Sequence, residues 1–135
     1  EDEAVGSAAA YDRNFIYGGT TYHHILDPRT GWPAQDTLAV TVVHRDASTA
    51  DAAATALFVA GPVHWHAVAQ AMGVRFVLLA DSTGTLHMSP EMQARLELMD
   101  TSAQLRVSQP LSDPKDASDG APDASPHGAG DQGAR

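Results

Sequence analysis

Two short stretches of the chain hold the residue types that chemistry needs. The first is Tyr22-His23-His24-Ile25-Leu26-Asp27-Pro28-Arg29-Thr30-Gly31-Trp32-Pro33. Pro28 pushes Asp27 out of the helical region, Gly31 can take positive φ, and two prolines stiffen the remainder. A loop constrained in this way holds its side chains in fixed places, as a catalytic loop must. A histidine at its entrance suits general-base work near neutral pH. A plainer reading stands beside this one. Asp-Pro and Thr-Gly are ordinary turn dipeptides, and His23-His24 then only alternate between the faces of a strand.

The second stretch is Ala50-Asp51-Ala52-Ala53-Ala54-Thr55-Ala56-Leu57-Phe58. On a helix Asp51 and Thr55, four apart, share one face. A carboxylate and a hydroxyl are hard oxygen donors of the kind Mg²⁺ accepts, the rest of its shell being water and substrate phosphate. The surrounding alanines allow close approach of backbone or ligand. Here too a structural reading competes. Ser48-x-x-Asp51 fits a capping box, in which Asp51 serves only the start of a helix.

The other candidates are weaker. His64 and His66, two apart, face different sides of a helix. His87 falls on an edge strand and His127 in a polar tail. Gly18-Gly19 lacks the spacing of a phosphate-binding loop, and no Gly-x-Ser-x-Gly elbow is present.

The elements that position these stretches follow from local pattern. Asn14–Tyr17 and Thr20–Leu26, joined by Gly18-Gly19, read as a β-hairpin. Leu38–His44, rich in β-branched residues, reads as a buried strand. Ser48–Ala60 reads as a helix capped by Ser48 and ended by Gly61-Pro62, and Val63–Met72 as a second helix closed by Gly73. Arg75–Ala80 and Thr85–Met88 form strands around the turn Asp81-Ser82-Thr83-Gly84, and Pro90–Leu98 a short helix. Strands interleaved with two consecutive helices give α+β architecture with a mostly antiparallel sheet and the helices packed on it.

Composition bounds the rest. The 135 residues suffice for one domain with its own core. A formal charge of −9 argues against nucleic acid or an anionic membrane as partner. The absence of cysteine excludes disulfides, thiolate metal sites and cysteine nucleophiles. Apolar runs such as Ala52–Gly61 are interrupted or fall short of the roughly 20 residues a membrane helix needs, so no transmembrane segment is expected. The chain opens on Glu1-Asp2-Glu3 without Met or a signal-peptide pattern, and reads as a cut within a longer protein. Residues 1–108 form the expected domain. Residues 109–135, rich in Asp, Pro and Gly and without aromatics, read as a disordered acidic tail.

Together the two chemical stretches resemble the ApbE family, the FAD:protein FMN transferases. The family pattern is His-x-x-Asp-Pro-x-Thr-Gly, then a strand, then Ala-Asp-Ala-x-Ala-Thr-Ala, and order and spacing both match. The resemblance extends to about Leu98 and covers only the C-terminal part of such an enzyme. It implies an ApbE-like, T-fold-related fold. It also implies a reaction: Mg²⁺-dependent movement of FMN from FAD onto a Thr or Ser hydroxyl of a target flavoprotein, with release of AMP. His24 matches the family base, Asp51 and Thr55 the metal ligands, and Ile25 the place where backbone lies against FAD. Asp27, Thr30 and Gly31 match loop-shaping positions. The implied setting is the bacterial cell envelope on its periplasmic side, with a lipid anchor on the full-length protein. The implied acceptors are subunits of envelope redox complexes of the sodium-pumping NADH:quinone reductase or Rnf type. The same site allows FAD hydrolysis to FMN and AMP. A truncated, non-catalytic module binding flavin or a partner is a third reading. Two departures stand out: Ser7-Ala8-Ala9-Ala10 lacks the glycine of the family turn, and Ala53 replaces a usual Leu.

Overall fold

The computed structural model describes residues 2–10, 14–98 and 102–112. Seven strands and two helices follow in the order β1 (Ala4–Ala9), β2 (Asn14–Tyr17), β3 (Thr20–His23), β4 (Thr37–His44), α1 (Ala47–Met72), β5 (Phe76–Asp81), β6 (Leu86–Met88), α2 (Pro90–Gln93) and β7 (Leu105–Val107). Five strands form one sheet in the order β1-β4-β5-β6-β7. It is antiparallel except where β7 runs parallel to β6. The hairpin β2–β3 stands as a separate two-stranded sheet. The α+β, mostly antiparallel expectation is the observed architecture.

α1 lies across one face of the large sheet. Val40 and Val42 of β4 and Val77 and Leu79 of β5 meet Ala53, Ala54, Leu57 and Phe58 of α1 in a single core. Alternation along β4 and β5 sends these side chains inward. The alanines matter because small side chains let the helix sit close to the sheet. By length and composition α1 is apolar enough to span a membrane, unlike the short runs expected from the sequence. Its apolar residues instead cover this sheet, which makes it the core helix of the domain.

The two expected helices are joined into one element with a sharp kink. Gly61 adopts φ 73° and ψ −179°, and Pro62 follows it. That backbone is open essentially to glycine alone, and a proline is well placed at the first position of the helical half that follows. The helix also starts differently. Asp46, not Ser48, is the N-cap: its Oδ2 accepts the Thr49 amide at 2.8 Å. A carboxylate one residue ahead of the helix reaches that amide, so the capping box through Ser48 and Asp51 does not form. At the far end Gly73 takes φ 69° and closes the helix as expected.

Other boundaries shift. β3 ends at His23 rather than Leu26, because the chain turns there into the motif loop, leaving a lone bridge between Leu26 and Pro33. α2 stops at Gln93, five residues short of the expected Leu98. Beyond it Arg95 stacks on the Phe76 ring, 3.9 Å from its centre, and pairs with Glu3 at 2.7 Å. β1 and β7 were not expected. The ordered chain also runs past the expected boundary at Ser108. Leu111 is buried in the core, Gln70 holds Ser112 through two hydrogen bonds, and His66 Nε2 meets the Gln109 carbonyl at 3.0 Å. The buried Leu111 side chain and these hydrogen bonds from α1 together hold Gln109–Ser112 against the domain. The remainder of the expected tail, residues 113–135, lies outside the described residues, as does Tyr11-Asp12-Arg13.

Candidate active site

The motif loop is built by its own polar groups. Asp27 is its centre. Its carbonyl accepts the amides of Thr30 and Gly31, and its amide donates to the Trp32 carbonyl. Its carboxylate accepts the Arg29 amide at 2.9 Å and the Arg29 guanidinium at 3.0 and 2.8 Å. Those hydrogen bonds from Arg29 hold the Asp27 carboxyl below the usual carboxylate range. The Thr30 hydroxyl accepts the Trp32 amide, and Gly31 takes φ 72°. Asp27, Thr30 and Gly31 thus shape the loop through backbone contacts. Trp32, exposed, lies 6.2 Å from Tyr22, ring centre to ring centre.

The two histidines divide sharply. His23 is buried, with its ring edge-on to Phe58 of α1 at 5.4 Å. Its Nε2 donates to the Ala34 carbonyl at 2.6 Å, and its Nδ1 accepts the Ile25 amide at 3.2 Å. A carbonyl only accepts and an amide only donates, so these partners fix which nitrogen carries the proton. Both nitrogens are committed to backbone, and His23 is not available as a base. His24 is exposed on the turn that leaves β3. The strand reading of the pair is therefore half right: they do point opposite ways, and the outward one is the residue that matches the family base.

Ile25, matched to the place where backbone lies against FAD, is held on both backbone groups. Its side chain is buried in the core, its amide donates to His23, and its carbonyl accepts the Ala34 amide at 3.1 Å.

Asp51 and Thr55 come together as the helix dictates. Both are exposed on α1, and the Thr55 hydroxyl donates to the Asp51 backbone carbonyl at 3.4 Å. Because Asp46 caps the helix, the Asp51 carboxylate is not used by the helix start. That long contact uses the Thr55 proton and leaves its oxygen able to accept or to coordinate. Two hard oxygens on one exposed face fit Mg²⁺ whose remaining positions are filled by water and phosphate. Among the described residues no group of three His, Asp or Glu side chains could hold a metal alone, so the shell would depend on its substrate.

No hydrogen bond among the described residues joins His24 to Asp51 or Thr55. The link between the two motifs is made by packing: His23 on Phe58, and Ile25 in one core cluster with Ala53, Ala54 and Leu57. Phe58 is three residues beyond Thr55, so the loop is seated on the helix one turn from the metal-type ligands. A concavity beside the loop is lined by Asp27, Arg29, Asp36, Gly61 and His64, and by none of His24, Ile25, Asp51 or Thr55. The side chains of His24, Asp51 and Thr55 are exposed, whereas that of Ile25 is buried.

Sequence reasoning missed the role of Asp81. Burial raises its carboxyl. That is outweighed by hydrogen bonds from the Thr83 hydroxyl, His87 and the Thr83 and Thr85 amides, which leave it far below the usual range. Its Oδ2 lies 2.8 Å from His87 Nε2. The Asp-x-Thr turn carried the signal. The next residue, Ser82, donates its amide to the Asp36 carbonyl at 3.0 Å and ties this turn to the end of the motif loop.

A model of the ApbE family matches residues 1–78. The chain is 43% identical over 98 residues to the FAD:protein FMN transferase of Rhodobacter capsulatus, an overlap of 73% of this chain and 19% of that protein. It is 46% identical over 61 residues to the enzyme of the same name from Treponema pallidum, covering 44% of this chain and 17% of that one. Among solved structures, the ApbE protein of Thermotoga maritima superposes with a TM-score of 0.60 at 38% identity, over 67% of this chain and 30% of that one. The flavin transferase ApbE of Vibrio cholerae gives 0.54 at 30% identity, over 68% and 29%. The chain therefore spans about a fifth of the length of the curated relatives it matches. Motif, fold and these likenesses agree, and the chain belongs to the ApbE family.

Proposed function

We propose that this chain carries the base and the side-chain metal ligands of an FMN transferase that moves FMN from FAD to a Thr or Ser hydroxyl of a protein, releasing AMP. One observation carries the reading: the Asp51 carboxylate is exposed beside Thr55 and is not the helix cap. Mg²⁺ held there would offset the charge of the FAD pyrophosphate as phosphorus is attacked. A protein hydroxyl is a poor nucleophile and needs a base within hydrogen-bond reach. His24, whose side chain is exposed, would take that proton. The hydroxyl oxygen then bonds to the FMN phosphorus, and the bond to the AMP phosphate breaks.

The exposed side chains of His24, Asp51 and Thr55 are open to FAD and to an acceptor protein. The envelope setting, and an acceptor of the sodium-pumping or Rnf type, belong to the same proposal and rest on the family resemblance.

The test is an incubation with FAD, Mg²⁺ and an acceptor peptide bearing a Thr, with AMP followed by chromatography. AMP release that requires Mg²⁺ and is lost in Asp51→Ala is the expected result. AMP released with the peptide unmodified would point to FAD hydrolysis. FAD bound without AMP release would favour a binding module.

A further inference from the structure

His23 does more than fill space. Its Nδ1 accepts the amide of Ile25, two residues on, and so closes a small ring of chain around His24. Its Nε2 donates across the loop to Ala34, and its ring edge rests on Phe58 of the helix that carries Asp51 and Thr55. One buried imidazole therefore grips three places: the turn bearing His24, the returning arm of the motif loop, and α1.

We infer that His23 is a positioning residue, which holds the His24 backbone rigid and aimed away from the core by the bond from the Ile25 amide to its Nδ1. The catalytic half of this inference rests on His24 being the base of the transfer proposed above; the geometric half does not. The same closure is familiar where an Asx side chain accepts the amide two residues on. That analogy supplies the test. Asn at position 23 puts an acceptor oxygen near the place of Nδ1 and can close the turn. Gln puts a donor nitrogen near the place of Nε2, and so keeps the tie to Ala34 while losing the turn.

Two readouts on the full chain decide it. Backbone ¹⁵N order parameters and amide exchange are measured at His24 and Ile25 in the unmodified chain, His23→Gln and His23→Asn. A rigid backbone gives about 0.85 and a flexible one falls below about 0.6. His24 is expected to be rigid in the unmodified chain and in His23→Asn, and flexible in His23→Gln, where the Ile25 amide also exchanges at least tenfold faster. In the transfer assay His23→Gln is expected to lower kcat at least tenfold with FAD affinity within twofold, and His23→Asn to recover most of the loss.

Equal behaviour of Gln and Asn at both readouts would overturn the inference, because a packing role does not tell them apart. So would the unfolding of both variants. If the unmodified chain transfers no FMN yet the order parameters separate as expected, the transferase reading fails and the positioning role stands.

Discussion

Gly6 of β1 lies directly against Ala50 of α1. A β-carbon at residue 6 would press into the Ala50 carbonyl and come within 2.7 Å of the Asp51 nitrogen. The obstacle is backbone, which cannot swing aside as a side chain can. The first turn of α1, and with it the Asp51 carboxylate, is set by the absence of a side chain at residue 6.

Gly6→Ala should therefore act on both stability and site. Overpacking of this kind costs roughly 1–3 kcal/mol, read as a lower midpoint in denaturant titration. Because the helix start must move, Mg²⁺ should bind several-fold more weakly. A variant that is destabilised but binds Mg²⁺ normally would show that Asp51 is placed by something other than this contact.

Asp46 and Asp51 should separate cleanly. Asp46→Ala removes the cap of α1 and should lower the melting temperature by a few degrees while leaving Mg²⁺ dependence in place. Asp51→Ala should leave stability within about 0.5 kcal/mol, as for a surface change away from any structural device, and abolish Mg²⁺-dependent turnover. Paired melting and turnover measurements check this. The reverse pattern would restore the capping reading of Asp51.

Asp81 makes stability depend on acid. Asp81 is held below its unfolded value by the hydrogen bonds it accepts, so its contribution is complete above the unfolded value of about 3.9. That contribution fades as pH falls through the lower folded value. Asp81→Asn should cost about 1.5–3 kcal/mol at neutral pH, the range for hydrogen bonds to a charged group. It should also flatten the loss of stability on acidification below about pH 4. Urea titrations at a series of pH values report both; an unchanged acid limb would mean that other carboxylates govern it.

Gly61 should be intolerant for a conformational rather than a steric reason. An added β-carbon there would meet Asp36 Cβ at 3.8 Å and Thr37 Oγ1 at 3.9 Å, ordinary contacts. Yet φ 73° with ψ −179° strains any L side chain. Gly61→Ala is expected to cost about 1–3 kcal/mol by this strain, measured by thermal unfolding. Asp51, ten residues earlier, should keep its Mg²⁺ affinity.

What could be read from the sequence followed the strength of each local signal. Gly18-Gly19 between two β-rich runs gave the hairpin, and both glycines do take positive φ, 59° and 79°. β4 and β5 declared themselves by β-branched and apolar content. β1, Ala4–Ala9, has one strand former, Val5, among Ala, Gly and Ser, too weak a signal to mark a strand. It is a strand because β4 offers it an edge and because its small residues let α1 descend. β7 is three residues long and held by β6, below what pattern detects. Leu111, one apolar residue in a polar run, gave no periodic signal of its burial.

The site divides the same way. Motif spacing singled out His24, Asp51 and Thr55, whose side chains the fold leaves exposed. It could not foresee that His23 is committed through both nitrogens, that both backbone groups of Ile25 are engaged, or that Asp46 relieves Asp51 of the cap. Those depend on contacts between residues distant in the chain or on which of several neighbouring carboxylates reaches an amide first.

The most direct measurement is the mass of a Thr-bearing acceptor protein after incubation with FAD, Mg²⁺ and this chain, beside His24→Ala. The account predicts an acceptor heavier by one FMN, with an equal amount of AMP, and at least a hundredfold slower modification by His24→Ala at unchanged FAD affinity. Equal modification by the unmodified chain and His24→Ala would contradict the assignment of the base. An unmodified acceptor despite bound FAD and Mg²⁺ would contradict the transfer itself.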